Sequence, residues 1–94
     1  MDMPLATLFR ADGTTQNYSH ELSLEELQAA VGGYIEYATV REYGIVRNLI
    51  VDGEGLLKHK PVNKKATDMY NDGMSNHLAQ VIVGDAVLLR YTPE

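Results

Sequence analysis

The chain of 94 residues contains no cysteine and no tryptophan, and its aromatic side chains are six tyrosines and one phenylalanine. The absence of cysteine excludes a disulfide scaffold, a thiolate nucleophile and a zinc site of the zinc-finger type. No segment approaches the ~20 apolar residues that a membrane-spanning helix requires, and no signal-type apolar run follows the acidic N-terminus. We therefore expect a soluble, cytoplasmic protein that does not use a membrane as a partner.

Basic residues are also scarce. Eight Lys and Arg oppose thirteen Asp and Glu, which gives a net charge of −5. Because nucleic-acid binding requires clustered Lys and Arg, we expect no general affinity for nucleic acid. Residues 1–57 hold nine acids and three bases, whereas residues 58–94 hold four acids and five bases. The one basic cluster lies between Lys58 and Lys65.

The composition predicts one folded domain over residues 1–94. Hydrophobic residues make up 45% of the chain and charged residues 22%, which is enough apolar side chain for a single core. No internal repeat or low-complexity segment divides the chain.

The clearest local signal is a helix over Leu24–Val31. Ser23 followed three residues later by Glu26 forms a capping box, in which each side chain accepts from a backbone N–H at the start of the helix. Leu24, Leu27 and Val31 recur at helical spacing and are expected to face the core. Gly32 and Gly33 end the helix, because glycine readily adopts the left-handed cap conformation.

The rest of the chain predicts a sheet. Strands joined by short turns favour antiparallel neighbours, and the run at 49–51 is apolar on both faces, as in a central strand. The predicted elements are a hairpin at about 4–18, strands at 34–41 and 45–52, a short strand near Leu56, a helix over Lys64–Tyr70 and a last strand region at 80–90. We expect a small α+β domain with an antiparallel or mixed sheet and two short helices packed on one face.

Three blocks of the sequence support a resemblance to known proteins. They are Val31-Gly32-Gly33-Tyr34-Ile35-Glu36, Asn63-x-x-Ala66-Thr67 and Val83-Gly84-Asp85. Their succession resembles a family of small domains of unknown function found in bacteriophages, mobile elements and bacteria. The resemblance covers about residues 20–90 and leaves the hairpin outside. It implies a phage or mobile-element setting, and hence the cytoplasm of a host cell, but no activity.

The start of the second helix is the candidate binding site. Asn63 is a good N-cap residue, and a helix N-terminus presents free backbone N–H groups and a partial positive charge. Lys64 and Lys65 in the first turn oppose the usual preference for acids there, which suggests an anion site for a phosphate, nucleotide or carboxylate, with Asn63 and Thr67 as polar partners. The alternative is a capped helix with two solvated lysines.

No catalytic or metal site is predicted, and no cofactor. His20, His59 and His77 lie far apart in sequence, and none has a histidine or carboxylate three or four residues later. Glu36 would be an acid or base only if it faced a cleft, and Asp85 is expected to be a turn residue. The six tyrosines suit either a protein interface or sheet-edge packing.

These features favour a non-enzymatic binding or accessory protein. We expect a homo-oligomer that contacts a host or viral protein or takes a small anionic ligand. Two alternatives remain open. One is a small enzyme acting on a phosphorylated or nucleotide substrate, which requires Glu36 or a histidine beside Lys64 in a shared cleft. The other is an acidic DNA mimic, which requires the carboxylates of residues 1–57 to lie on one continuous face.

Overall fold

A computed structural model describes residues 3–72 and 80–93. The elements in chain order are β1 (Ala6–Phe9), β2 (Thr15–Tyr18), α1 (Leu24–Val31), β3 (Ile35–Glu42), β4 (Ile45–Asp52), α2 (Lys64–Tyr70) and β5 (Ala86–Leu89). The predicted α+β class and the bounds of both helices are confirmed. The loop expected around residues 74–78 lies outside the described residues. Neither described helix is long and apolar enough to cross a bilayer.

The sheet has five antiparallel strands in the order β2-β1-β5-β4-β3. Two hairpins, β1–β2 and β3–β4, arise from short turns, and β5 inserts between them. All four residues of β5 are buried, so the last strand of the chain is the centre of the fold. The predicted short strand near Leu56 is instead a turn over residues 53–59, and Val83 forms only an isolated bridge with Val62.

The two helices cover opposite faces of the sheet, so the prediction that both pack on one face is wrong. Alternate residues of β5 belong to different apolar clusters: Val87 and Leu89 pack in the cluster of α1, Ala86 and Leu88 in the cluster of α2. The physical reason is that a central strand with four consecutive apolar residues exposes apolar surface on both faces, and each face needs its own cover.

Helix α1 begins and ends as predicted. The N–H of Glu26 donates to Ser23 Oγ at 3.1 Å, and the N–H of Ser23 donates to Glu26 Oε1 at 3.0 Å. Gly32 takes the left-handed conformation at the C-terminus, with φ of +80°. The expectation that Leu24 faces the core is wrong, because only Leu27 and Val31 are buried and Leu24 instead lines an open groove between α1 and β3.

Candidate functional site

Asn63 is a fully buried junction between three segments of the chain. Its side chain is 1% exposed. Its Oδ1 accepts from the N–H of Ala66 at 3.1 Å, which caps α2, while its Nδ2 donates to the carbonyls of Phe9 at 2.8 Å and Gly84 at 2.9 Å. Both donor hydrogens are therefore used, and the amide has an internal role.

Thr67 also uses its polar atom inside the protein. Its Oγ1 donates to the carbonyl of Ile82 at 3.2 Å and accepts from the N–H of the same residue at 2.9 Å. This pair of bonds ties α2 to the segment that leads into β5. Of the four residues of the predicted anion site, the two neutral ones are therefore committed to the fold.

The basic cluster divides into three parts. Lys58 and Lys60 bind the buried carboxylate of Asp52, at 2.9 and 2.7 Å. Lys64 forms an exposed pair with Asp68 one helical turn later, at 3.3 Å. Among the residues that the structure describes, Lys65 has no carboxylate within ion-pair distance. Lys65 is thus the lysine of this cluster for which the described residues provide no ion pair.

A cleft of about 240 Å³ lies between the β1–β2 turn and the first turn of α2. Its charged lining residues are Arg10, Lys64 and Lys65, and no carboxylate from residues 3–72 or 80–93 lines it. The guanidinium of Arg10 donates to two neutral oxygens, Thr14 Oγ1 at 3.4 Å and Gln16 Oε1 at 2.7 Å. The charged side chains of the lining are therefore all cationic. We call this space the basic cleft.

Sequence reasoning missed Arg10, since it lies 54 residues before Lys64. The sequence indicates the tight turn at Asp12-Gly13, but it does not indicate that this turn lies beside the start of α2. Asp85 accepts from the N–H of Ala11 at 2.9 Å and so fixes the turn against the start of β5. The carboxylate of Asp12 is held by the N–H and hydroxyl of Thr14, which keeps its pKa below the usual value.

A second, larger cleft of about 470 Å³ continues from the basic cleft. The two share Phe9, Thr15 and Lys65, so Lys65 stands at their junction. The larger cleft runs beside α2 on the same face of the sheet, over β1 and β2. Its charged residues are of both signs: Arg41, Lys65 and Arg90 against Glu42, Asp68 and Asp72.

Arg90, one of the two arginines that line the larger cleft, is already paired inside the protein. Arg90 forms a two-pronged pair with Glu42, with Nε–Oε1 at 2.9 Å and Nη2–Oε2 at 2.7 Å, and its Nη1 donates to Thr7 Oγ1 at 2.8 Å. The hydrogen bonds from Arg90 hold the pKa of Glu42 below its ordinary value, against the opposing effect of burial. This pair links β3, β5 and β1 and offers little free charge to a ligand.

The residues considered for catalysis are not brought together. Glu36, His20 and His59 do not line either cleft, and His77 lies outside the described residues. His20 instead contacts Glu26, with Nε2 at 3.1 Å from Oε2. Within residues 3–72 and 80–93, no three His, Asp or Glu side chains are grouped so that they could hold a metal ion.

A family model described as a domain of unknown function, DUF3846, matches residues 6–94. The chain belongs to the DUF3846 family. The predicted resemblance to a family of small uncharacterised domains is thereby confirmed, but its limits change, because the DUF3846 match includes the β1–β2 hairpin. The hairpin carries Arg10, so both walls of the basic cleft lie within the DUF3846 domain. No curated protein and no solved structure matches the chain.

Proposed function

We propose that this DUF3846 domain is a non-enzymatic binding protein whose basic cleft takes the phosphate or carboxylate group of a small ligand. The observation that carries the proposal is the lining of that cleft. Arg10, Lys64 and Lys65 converge there without a carboxylate, on a chain whose net charge is −5. Lys64 also pairs with Asp68 at 3.3 Å, so Arg10 and Lys65 are the two cations on which the proposal chiefly depends.

Electrostatics favours an anion in this position. A cleft lined by one sign of charge focuses the field and raises the local concentration of counter-ions. Arginine matches phosphate and carboxylate with two parallel N–H donors, while lysine contributes a point charge. The proposal rests on these side chains and not on the end of α2, where Asn63 Oδ1 accepts from the N–H of Ala66 and the carbonyl of Ile82 accepts from the N–H of Asn63.

The larger cleft can accommodate the part of the ligand that lies beyond its anionic group. Lys65 lies where the two clefts meet, and beyond it the floor combines the ring of Phe9 with the polar side chains of Thr7 and Asn17. Pockets of this mixed kind orient small molecules by a few polar groups on an apolar floor. The proposed ligand is therefore a small molecule with an anionic group at one end and a partly apolar body.

The two alternative functions have less support. The enzyme hypothesis needs Glu36 or a histidine beside Lys64, and none of those that the structure describes lines the basic cleft. The DNA-mimic hypothesis needs outward-facing acids, but the carboxylates of Glu42 and Asp52 are held in internal ion pairs. With the phage or mobile-element setting that the sequence predicts, we propose an accessory protein of the host cytoplasm.

Replacement of Lys65 or Arg10 by alanine is expected to raise the dissociation constant for an anion by at least about tenfold, because a hydrogen bond to a charged group contributes about 1.5–3 kcal/mol. Isothermal titration with inorganic phosphate, adenosine monophosphate and citrate at low salt measures this. The affinity of the unaltered protein should fall as sodium chloride is added, since salt screens exposed charges.

The matched control is Arg41→Ala. It removes the same charge from a residue that lines the larger cleft but does not line the basic cleft. It should leave the affinity for inorganic phosphate within about twofold, whereas the two cleft variants should not. Equal losses in all three variants would reduce the effect to net charge, and an unaltered protein that binds none of the three anions at millimolar concentration contradicts the proposal.

A further inference from the structure

Strand β3 forms one edge of the sheet. It runs for eight residues, Ile35–Glu42, and pairs with β4 in unbroken register over its whole length. It contains no proline, and no bulge interrupts it. Within the described part of the chain, no segment pairs with its outer side. A long regular edge of this kind presents a row of backbone donors and acceptors that another strand can use.

The β3–β4 turn determines which backbone groups point outward. Tyr43 and Gly44 have φ of +50° and +81°, as in a two-residue type I′ turn. Such a turn is flanked by a hydrogen-bonded pair, here Glu42 and Ile45, so the even-numbered residues of β3 bond to β4. The bond from the N–H of Gly53 to the carbonyl of Tyr34, at 2.9 Å, fits this pattern. The outward groups are therefore those of Ile35, Tyr37, Thr39 and Arg41.

We propose that β3 of a second copy of this chain pairs with this edge, antiparallel, about a two-fold axis at Ala38. In this register Ile35 lies opposite the partner's Arg41, and Tyr37 lies opposite the partner's Thr39. All four outward residues of each strand then find an outward partner, which forms ~8 backbone hydrogen bonds. The sheet becomes continuous across the dimer.

Neighbouring registers fit less well. A shift of one residue would place the α1 face of one copy beside the α2 face of the other, because successive side chains of a strand point to opposite faces. An axis at Thr39 sets Glu36 opposite the partner's Glu42, a like-charge pair, and leaves Ile35 without a strand partner. An axis at Ala38 opposes no like charges. It also places the small Ala38 side chains at a pair without hydrogen bonds, where Cα atoms approach to about 4.5 Å.

The side chains on the α1 face complement this register. The Tyr37 side chain is 51% exposed and would gain a β-branched cross-strand neighbour in the partner's Thr39. The partner's Arg41 would lie beside Ile35, which lines the groove between α1 and β3. Glu21 is the single charged residue among the described residues that line this groove, so the groove presents no cation to the partner's Arg41. The other edge, β2, has only four residues and is polar.

A cysteine at the axis tests the register. The chain has no cysteine, so Ala38→Cys introduces its single thiol. The expected result is rapid formation of a disulfide-linked species of twice 10.4 kDa under mild oxidation, because the Cα separation suits a disulfide. The matched control is Thr39→Cys, whose cross-strand neighbour is Tyr37. It should cross-link at least ~10-fold more slowly. Equal rates, or a faster Thr39→Cys, would overturn the register.

A proline tests the edge itself. Thr39→Pro removes an outward N–H that β4 does not use, which edge strands tolerate, whereas Thr39→Val keeps it. Sedimentation equilibrium should show a dimer for the unaltered chain and for Thr39→Val, and a monomer with unchanged circular dichroism for Thr39→Pro. An unaltered chain that stays monomeric at ~100 μM, or a folded Thr39→Pro that remains dimeric, would overturn the proposal. Phosphate titration of Thr39→Pro should match the unaltered chain, since the basic cleft is built without β3.

Discussion

Asn63→Asp is expected to lower the free energy of unfolding by about 3 kcal/mol, although aspartate is as good as asparagine at a helix N-cap. The aspartate oxygen still accepts from the N–H of Ala66. The amide nitrogen, however, is replaced by an oxygen that faces the carbonyls of Phe9 and Gly84, at the positions now bonded at 2.8 and 2.9 Å. Each buried carbonyl left without a donor costs about 1–3 kcal/mol, and a buried carboxylate beside them adds to this.

Urea denaturation of Asn63→Asp beside Asn63→Ala separates the two roles of this residue. If the cap were its only role, aspartate would be neutral and alanine would cost about 1 kcal/mol. The structure predicts the reverse order, with aspartate at least as harmful as alanine, because only asparagine carries both the acceptor and the two donors. A neutral Asn63→Asp would show that the bonds to Phe9 and Gly84 contribute nothing to stability.

The sequence predicted what is decided locally. The capping box of Ser23 and Glu26 and the glycine at position 32 lie within a few residues of the helix ends that they determine, so α1 was bounded correctly. The same holds for α2, since its cap is three residues from the N–H that it accepts. Local patterns of this kind need no knowledge of the rest of the fold.

The candidate site was harder to predict because its residues are joined across long separations. The amide of Asn63 binds carbonyls 54 and 21 residues away in sequence. Lys58 and Lys60 reach carbonyls of Gly32 and Val31 that lie 26 and 29 residues earlier. A pattern of four residues at 63–67 indicates a cap and charges, but it does not show which polar atoms the fold uses and which it leaves free.

The placement of the helices was within reach of the sequence. The run Leu49-Ile50-Val51 was recognised as apolar on both faces, and Ala86–Leu89 is equally so. Two adjacent strands of this kind need cover on both faces, and the chain offers two helices for that purpose. These apolar patterns alone do not place the helices, because they do not reveal the order of the strands in the sheet. Only once β5 is seen to lie beside β4 do two apolar faces form.

Asp52→Asn is expected to cost about 2–4 kcal/mol, because it removes the anion from a buried cluster with two lysines. The Asp52 side chain is 0% exposed, while those of Lys58 and Lys60 are 39% and 21% exposed. The lysines can therefore regain water, which keeps the cost below that of a fully buried pair. Asp52 Oδ1 also accepts from the N–H of Glu54 at 2.9 Å. The cluster thus holds the 53–59 turn against the C-terminus of α1.

The close packing between the 53–59 turn and the end of α1 supports a structural role for the cluster of Asp52, Lys58 and Lys60. A Cβ at Gly33 would lie 2.5 Å from Lys58 Nζ and 2.7 Å from Asp52 Oδ1, so a side chain there would displace the pair. Lys58 and Lys60 also donate to carbonyls at the end of α1, at 3.2 and 2.6 Å. Cations at a helix C-terminus are favourable because they oppose the negative end of the dipole.

The contribution of Asp52 should depend on pH in a defined direction. Burial raises the pKa of Asp52, but hydrogen bonds from Lys58, Lys60 and the N–H of Glu54 outweigh it and hold this pKa well below the usual 3.8. The unfolded chain therefore takes up the proton first, at about pH 4, and stability falls as the pH drops through that range. Hydrogen bonding to Asp52 raises the pKa of Lys58 above 10.5. The contribution of Lys58 to stability is therefore present below pH 10.5 and is lost as the pH rises above it.

Urea denaturation of the unaltered chain and Asp52→Asn at pH 7, 5 and 3 measures this dependence. The difference between the two should be greatest at pH 7 and smaller at pH 3, because asparagine does not titrate. Other carboxylates with lowered pKa, such as Glu42, contribute equally to both chains and cancel in the difference. The matched control is Asp68→Asn, whose pair with Lys64 is exposed and should contribute less than about 1 kcal/mol. A difference that stays constant from pH 7 to pH 3 would mean that the shape of Asp52, and not its charge, holds the turn in place.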